Sequence, residues 1–175
     1  MILRDGDSEL DELTLRRAQA GDDAACRALV ERYQRPVFAL ISRTIGHGPL
    51  VEDLAQETFL KAFRALARFD PAGRARFSTW LLTIAARLAI DHARRREPAP
   101  DRPRLAAGSA ELRTALAAAV ESLPPDFRAA FLLREAHGFS TAEVAEALGV
   151  EEGTVKSRLS RAREALRQIL GDFHD

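Results

Sequence analysis

The sequence predicts an all-α protein made of two small helical domains joined by a proline-rich linker. Three observations carry this. Apolar residues recur at spacings of three and four through nearly every segment, and strand-like alternation is scarce. Glycine and proline fall where helices must stop. Pro98, Pro100 and Pro103 crowd one stretch too closely for helix or sheet. The expected boundaries are residues 1–96, a linker over 97–110, and residues 111–175. At 175 residues the chain has room for two small domains. The second of them lies near the lower size limit for a self-sufficient core.

The elements follow in order. "SELDELTLRRAQAG" is a short helix ended by Gly21. In "DDAACRALVERYQRPVFALISRTIG", Leu29, Val30, Tyr33, Val37, Leu40 and Ile41 keep helical spacing, and Pro36 is expected to kink or break it. After the turn "HGPL", a helix from about Val51 to Phe69 buries Leu54, Thr58, Phe59, Ala62, Phe63 and Leu66. "DPAGRAR" breaks the pattern, and the next helix is expected to start at Ser78, with the serine hydroxyl as its cap. Beyond the linker, "AELRTALAAAVESL" stops at Pro124-Pro125, and "DFRAAFLLREAHG", "TAEVAEALG" and "GTVKSRLSRAREAL" complete the set.

Twenty-six basic and twenty-six acidic residues cancel, so the chain is no nonspecific polycation. Charge is segregated instead. Residues 61–96 hold nine Lys or Arg against Asp70 and Asp91, whereas the first twelve residues hold five acids and one base. Such a division suggests surfaces for different partners. Cys26 is the only cysteine, which excludes an intrachain disulfide and argues against a cysteine metal site. The acidic N-terminus lacks a signal peptide's apolar stretch, and "WLLTIAARLAI" is too short for a bilayer and carries Arg87. The expectation is a cytoplasmic protein.

The last two helices have the pattern of a helix-turn-helix. Ser140 or Thr141 caps the first, Val144, Ala145 and Leu148 form its buried face, and Gly149 ends it in a tight turn that Val150 plugs. In the second, Val155, Leu159, Ala162 and Leu166 form one docking stripe. Lys156, Ser157, Ser160, Arg161 and Glu164 face away with Arg163 beside them, as reading base edges and phosphates requires. The plainer alternative is a solvated face, but Glu164 is the only acid within reach of those bases.

The first domain carries two further surfaces. Asp53, Gln56, Glu57, Leu60 and Arg64 share a stripe opposite the apolar face, either a protein-docking surface or an ordinary solvated one. "ARFSTWLLTIAARLAIDHARRR" sets Phe77 and Trp80 beside hydroxyls, with arginines at both ends. Aromatics next to bases suit single-stranded nucleic acid, though a lone tryptophan is more often core.

"DLAQETFLKAF", "FSTWLLTIAARLAIDHARRR", the proline-rich linker, "LPPDFRAAFLLREAHGFS" and "TAEVAEALGVEEGTVKSRLSRAREAL" occur in that order. Together with "RRAQAGDDAACRALVERY" they resemble the extracytoplasmic-function (ECF) subgroup of bacterial sigma-70 factors, over roughly residues 13–170. The resemblance implies a promoter-specificity subunit of RNA polymerase that needs no cofactor. It implies that Asp53, Gln56, Glu57 and Leu60 bind bacterial core RNA polymerase. It implies that Arg74, Arg76, Phe77, Ser78, Thr79, Trp80, Arg87, Asp91, Arg94 and Arg95 open and read the −10 element of promoter DNA. Lys156, Ser157, Ser160, Arg161 and Arg163 would read the −35 element. An anti-sigma factor, often membrane-anchored, is the further partner implied. Two positions depart from the family pattern: Arg87 stands where asparagine is usual, and Cys26 where a larger aromatic is common.

Other classes fit less of the chain. A dimeric activator or repressor would use the helix-turn-helix but leave the acidic stripe and the basic–aromatic segment idle. An interaction module would waste the basic helix. An enzyme finds no support, because His47, His92, His137 and His174 lie far apart and no phosphate-cradling glycine loop is present.

Overall fold

The computed structural model describes residues 9–73, 75–95 and 109–171, and among these the chain forms eight α-helices and no strand. Helix α1 (Glu12–Gln19) starts where Asp11 accepts the Thr14 amide at 2.8 Å, and α2 (Asp23–Ile45) where Asp22 accepts the Ala25 amide at 2.9 Å. That amide and Arg17 hold the Asp22 carboxyl below the usual carboxylate range. Each such cap contributes about 1 kcal/mol.

Helix α2 runs unbroken through Pro36. The proline removes one amide from the ladder. Tyr33, Val37, Leu40 and Ile41 on either side of it are at most 3% exposed, and burying them outweighs the missing bond. Helix α3 (Pro49–Ala65) opens on a proline, whose missing N–H costs nothing in the first turn, and ends in a short 3-10 turn, Leu66–Arg68. The Gln19 side-chain amide ties α1 to this end by donating to the Leu66 and Phe69 carbonyls at 2.9 and 2.6 Å.

Helix α4 (Phe77–Arg95) corrects one expectation. Ser78 lies inside the first turn and is not its cap. Glu9 does that work from the far end of the chain: its carboxylate accepts the Ser78 amide at 3.2 Å, the Ser78 hydroxyl, and the Tyr33 hydroxyl at 3.1 Å. A carboxylate is a stronger partner than a serine for the positive end of a helix, and it turns the Ser78 hydroxyl into a donor.

In the second half, α5 (Ser109–Ser122) and α6 (Pro125–Phe131) meet at Pro124, and α6 continues into a single π turn, Leu132–Ala136. The expected linker lies outside the described residues except for Ser109 and Ala110, which open α5. Helix α7 (Thr141–Leu148) has a full capping box. Ser140 accepts the Glu143 amide at 3.2 Å, and Glu143 accepts the Ser140 amide at 2.7 Å. Gly149 follows at φ 64°, the left-handed turn that favours glycine, before α8 (Glu152–Gly171).

The two halves are packed together. Helix α4 lies against α6 and α7, α2 against α5 and α6, and the buried side chains of both halves form one continuous cluster. This relieves the small second half of having to build a core alone. Arg128 crosses the seam. It donates to the Thr44 carbonyl at the end of α2 at 2.5 Å, to Leu123 O at 2.9 Å and to Glu121 O. Burial lowers the pKa of its guanidinium. His137, beside the seam, is pushed down to about 4 by burial, with the Arg43 charge adding to the shift.

Candidate nucleic-acid interface

The basic face of α8 exists because the opposite face is fully spent on packing. Val155, Leu159, Ala162 and Leu166 are at most 5% exposed, so the helix has one permitted rotation. Lys156, Ser157, Ser160, Arg161 and Arg163 are thereby turned to solvent. Of these, Arg163 pairs with Glu135 at 2.6 Å, and Ser157 donates to the Thr154 carbonyl at 2.8 Å. Lys156, Ser160 and Arg161 make no side-chain hydrogen bond or ion pair among the described residues. Arg158, on the flank, is 15% exposed and lies 3.7 Å from Asp126. The buried face of α7 is Val144, Ala145 and Ala147, with Leu148 only partly covered.

Helix α3 divides in the same way. Leu54, Ala55, Thr58, Phe59 and Ala62 are buried, with the Thr58 hydroxyl donating to the Leu54 carbonyl at 2.7 Å. Asp53, Gln56, Glu57 and Leu60 are all exposed. Glu57 pairs with Lys61 at 3.0 Å, and Leu60, 55% exposed, is an apolar side chain standing among charges.

The start of α4 carries an aromatic cluster. Phe77 meets Tyr33, Phe69 and Trp80 at ring-centroid distances of 5.3, 5.3 and 5.4 Å, and Phe69 meets Trp80 at 5.2 Å. Phe77 itself is 2% exposed and belongs to the core, whereas Ser78, Thr79 and Trp80 keep part of their surface and Arg76 is exposed. Arg74 lies outside the described residues. Further along α4, Asp91 and Arg95 are exposed, and Arg94 pairs with Asp126 on α6 at 2.6 Å. Arg87 reaches across the seam: its Nε and Nη2 donate to the Ala147 and Glu146 carbonyls, each at 2.7 Å. Among the described residues no group of three or more His, Cys, Asp or Glu is placed to hold a metal ion. No helix of the described residues is long and apolar enough to cross a membrane.

Residues 29–98 match the model of sigma-70 region 2, and residues 113–166 that of sigma-70 region 4. The ECF RNA polymerase sigma-E factor of Salmonella typhimurium is 38% identical over 178 residues, covering 89% of this chain and 92% of the relative. The chain belongs to the ECF branch of the sigma-70 family. It is therefore a promoter-specificity subunit of bacterial RNA polymerase, not an enzyme. Two solved structures of sigma factors are also similar. CnrH in complex with the cytosolic domain of CnrY superposes with a TM-score of 0.68 at 29% identity, covering 93% of this chain and 97% of that one. RpoE in complex with the anti-sigma factor NepR from Bartonella quintana shares the fold, with a TM-score of 0.65 at 24% identity over 83% and 96% of the two chains.

Three residues of this sigma factor escaped the sequence reading. Glu9 sat in an acidic stretch that no motif explained, and only the fold brings it onto α4. Asp126 and Arg128 follow Pro124-Pro125 as ordinary helix-start charges, and their partners across the seam, Arg94 and the Thr44 carbonyl, are 32 and 84 residues away. No local signal points to a contact at that separation.

Proposed function

We propose that this sigma factor docks on core RNA polymerase through the exposed face of α3. Asp53 and Glu57 orient the complex, Leu60 supplies apolar burial and Gln56 a hydrogen bond. The segment from Arg74 to Trp80 and the outer face of α4, with Arg87, Asp91, Arg94 and Arg95, opens the −10 element and holds its separated strand. Trp80 and the arginines there supply stacking and phosphate neutralisation. Phe77 acts from beneath, by fixing where Trp80 stands. Helix α8 reads the −35 element through Lys156, Ser157, Ser160, Arg161 and Arg163. The protein works in the cytoplasm, where the polymerase is, and an anti-sigma factor restrains it, as the complexes of CnrH with CnrY and of RpoE with NepR suggest.

The observation that carries the reading is the division of α8. Four apolar side chains are sealed beneath it, and three polar or basic ones, Lys156, Ser160 and Arg161, are left without a side-chain partner among the described residues. A dimeric regulator would use that helix too, but it gives no role to the Leu60 face.

The direct test is co-elution of the purified chain with bacterial core RNA polymerase on a sizing column without DNA. Stoichiometric co-elution is expected, and Asp53→Lys should weaken it at least tenfold with helicity unchanged, because a like-charge contact at an interface costs several kcal/mol. Full affinity in that variant would remove α3 from the interface. On promoters that depend on the −35 element, Arg161→Ala should lower transcription by the equivalent of about 1–3 kcal/mol if the guanidinium contacts a base. The same loss on a scrambled −35 sequence would assign it to phosphate.

A further inference from the structure

One of the two positions that depart from the family's pattern also ties the halves of the chain together. Arg87 leaves α4 and places two N–H groups on the carbonyls of Glu146 and Ala147, both at 2.7 Å. Those carbonyls belong to the last turn of α7, where the helix dipole is negative; the Glu146 carbonyl accepts only a long bond, from the Gly149 amide at 3.3 Å. A guanidinium is therefore the complementary group, and its planar fork reaches both carbonyls at once. Asparagine, the residue usual here, is too short and carries no charge. Nearby, Arg94 pairs with Asp126 at 2.6 Å, so two of the arginines assigned to the −10 surface are spent on the second half of the molecule.

This arrangement cannot be the one that reads a promoter. The −10 and −35 elements lie about 25 base pairs apart, roughly 80 Å of duplex at about 34 Å per turn. A closed chain of this length has a radius of gyration of about 16 Å. Reading both elements requires the halves to separate, and Arg87 cannot grip the end of α7 and a DNA phosphate together.

We propose that Arg87 is a latch that holds the helix-turn-helix against the −10 face of the free sigma factor, and that its release couples domain opening to promoter engagement. This rests on the assignment of α4 to the −10 element and adds to it a regulatory role for one side chain. In the closed state the guanidinium is satisfied by backbone carbonyls. In the open state it is a free cation on the surface that meets DNA. Whatever separates α4 from α7 thus also supplies a phosphate-binding group, and −10 DNA that captures Arg87 opposes reclosure.

The test uses the full chain. Dyes are placed by cysteine substitution at Glu31 on α2 and Arg167 on α8, both exposed, in a Cys26→Ser background. Energy transfer is then read in the free protein, and the association rate with core polymerase is read on the unlabelled chain. Arg87→Asn should raise the open-to-closed ratio about tenfold, since two charge-assisted hydrogen bonds are lost at a partly solvated site. It should also speed association with core severalfold. Arg87→Lys should fall between, because an ammonium lacks the fork. Arg87→Gln, whose longer stem keeps more of the packing, is the second variant should Arg87→Asn lose helicity. Unchanged transfer efficiency in both Asn and Gln variants overturns the latch. Opening without faster association overturns the coupling of opening to engagement. The transfer measurement needs no polymerase, so the latch can fail while wild-type co-elution with core still succeeds, and the reverse.

Discussion

Phe77→Ala should cost this protein about 3–5 kcal/mol of stability, the largest loss expected from any single truncation in the first half. Phe77 is 2% exposed and is the hub of the aromatic cluster, in ring contact with Tyr33, Phe69 and Trp80. Removing the ring deletes its transfer free energy and leaves a cavity walled by three other rings, which cannot collapse far because Tyr33 is also held by Glu9 and Leu10. At roughly 2–4 °C per kcal/mol for a chain of this size, the midpoint of thermal unfolding should fall by on the order of 10 °C. The functional consequence is separate. Trp80 packs against Phe77 in a tilted ring contact, so even variant protein that is still folded should open promoters slowly. A loss below about 1 kcal/mol in denaturant titration would show that Phe77 is not the hub of this core.

Arg128→Met should cost about 3 kcal/mol, although methionine fills much of the same volume. The guanidinium donates to three carbonyls, Thr44 O, Glu121 O and Leu123 O, and the residue is half-buried, which lowers its pKa. Methionine would leave those acceptors without their donor, and a bond to a charged group contributes about 1.5–3 kcal/mol. The Thr44 bond joins the second half to the end of α2, so the loss should appear both in global unfolding and in faster amide exchange over α5 and α6. Arg128→Lys should recover only part of the stability, since an ammonium cannot span the three carbonyls as a planar fork does. Full recovery with lysine would mean that charge alone, rather than geometry, holds the seam.

These two residues show where sequence reading stops. Phe77 reads with Trp80 as an aromatic beside bases, a pattern that suits single-stranded nucleic acid. The fold turns it inward, because residue 77 opens α4 on the side facing Tyr33 and Phe69. Nothing in the residues around Arg128, behind two prolines, marks it as a side chain that spans the two halves. Ser78 looked like a cap until a carboxylate 69 residues away took the place.

What the sequence determined by itself is everything governed by short-range physics. Helical periodicity placed the helices, although Pro36, expected to kink or break α2, leaves it uninterrupted because the tertiary packing on both sides outweighs the missing bond. Apolar stripes in α3 and α8 decided which faces are buried, and so which residues, from Asp53 to Leu60 and from Lys156 to Arg163, are presented to solvent. The ordered motifs placed the chain among the ECF sigma factors. Only the tertiary structure decided that the halves close on each other, that Glu9 caps α4, and that Arg87 and Arg128 each reach the carboxyl end of a helix in the opposite half. The reason is physical. Amphipathic faces and caps are written within a few residues, whereas a helix end offers the same bare carbonyls whatever its sequence. Which arginine finds them depends on how the helices pack.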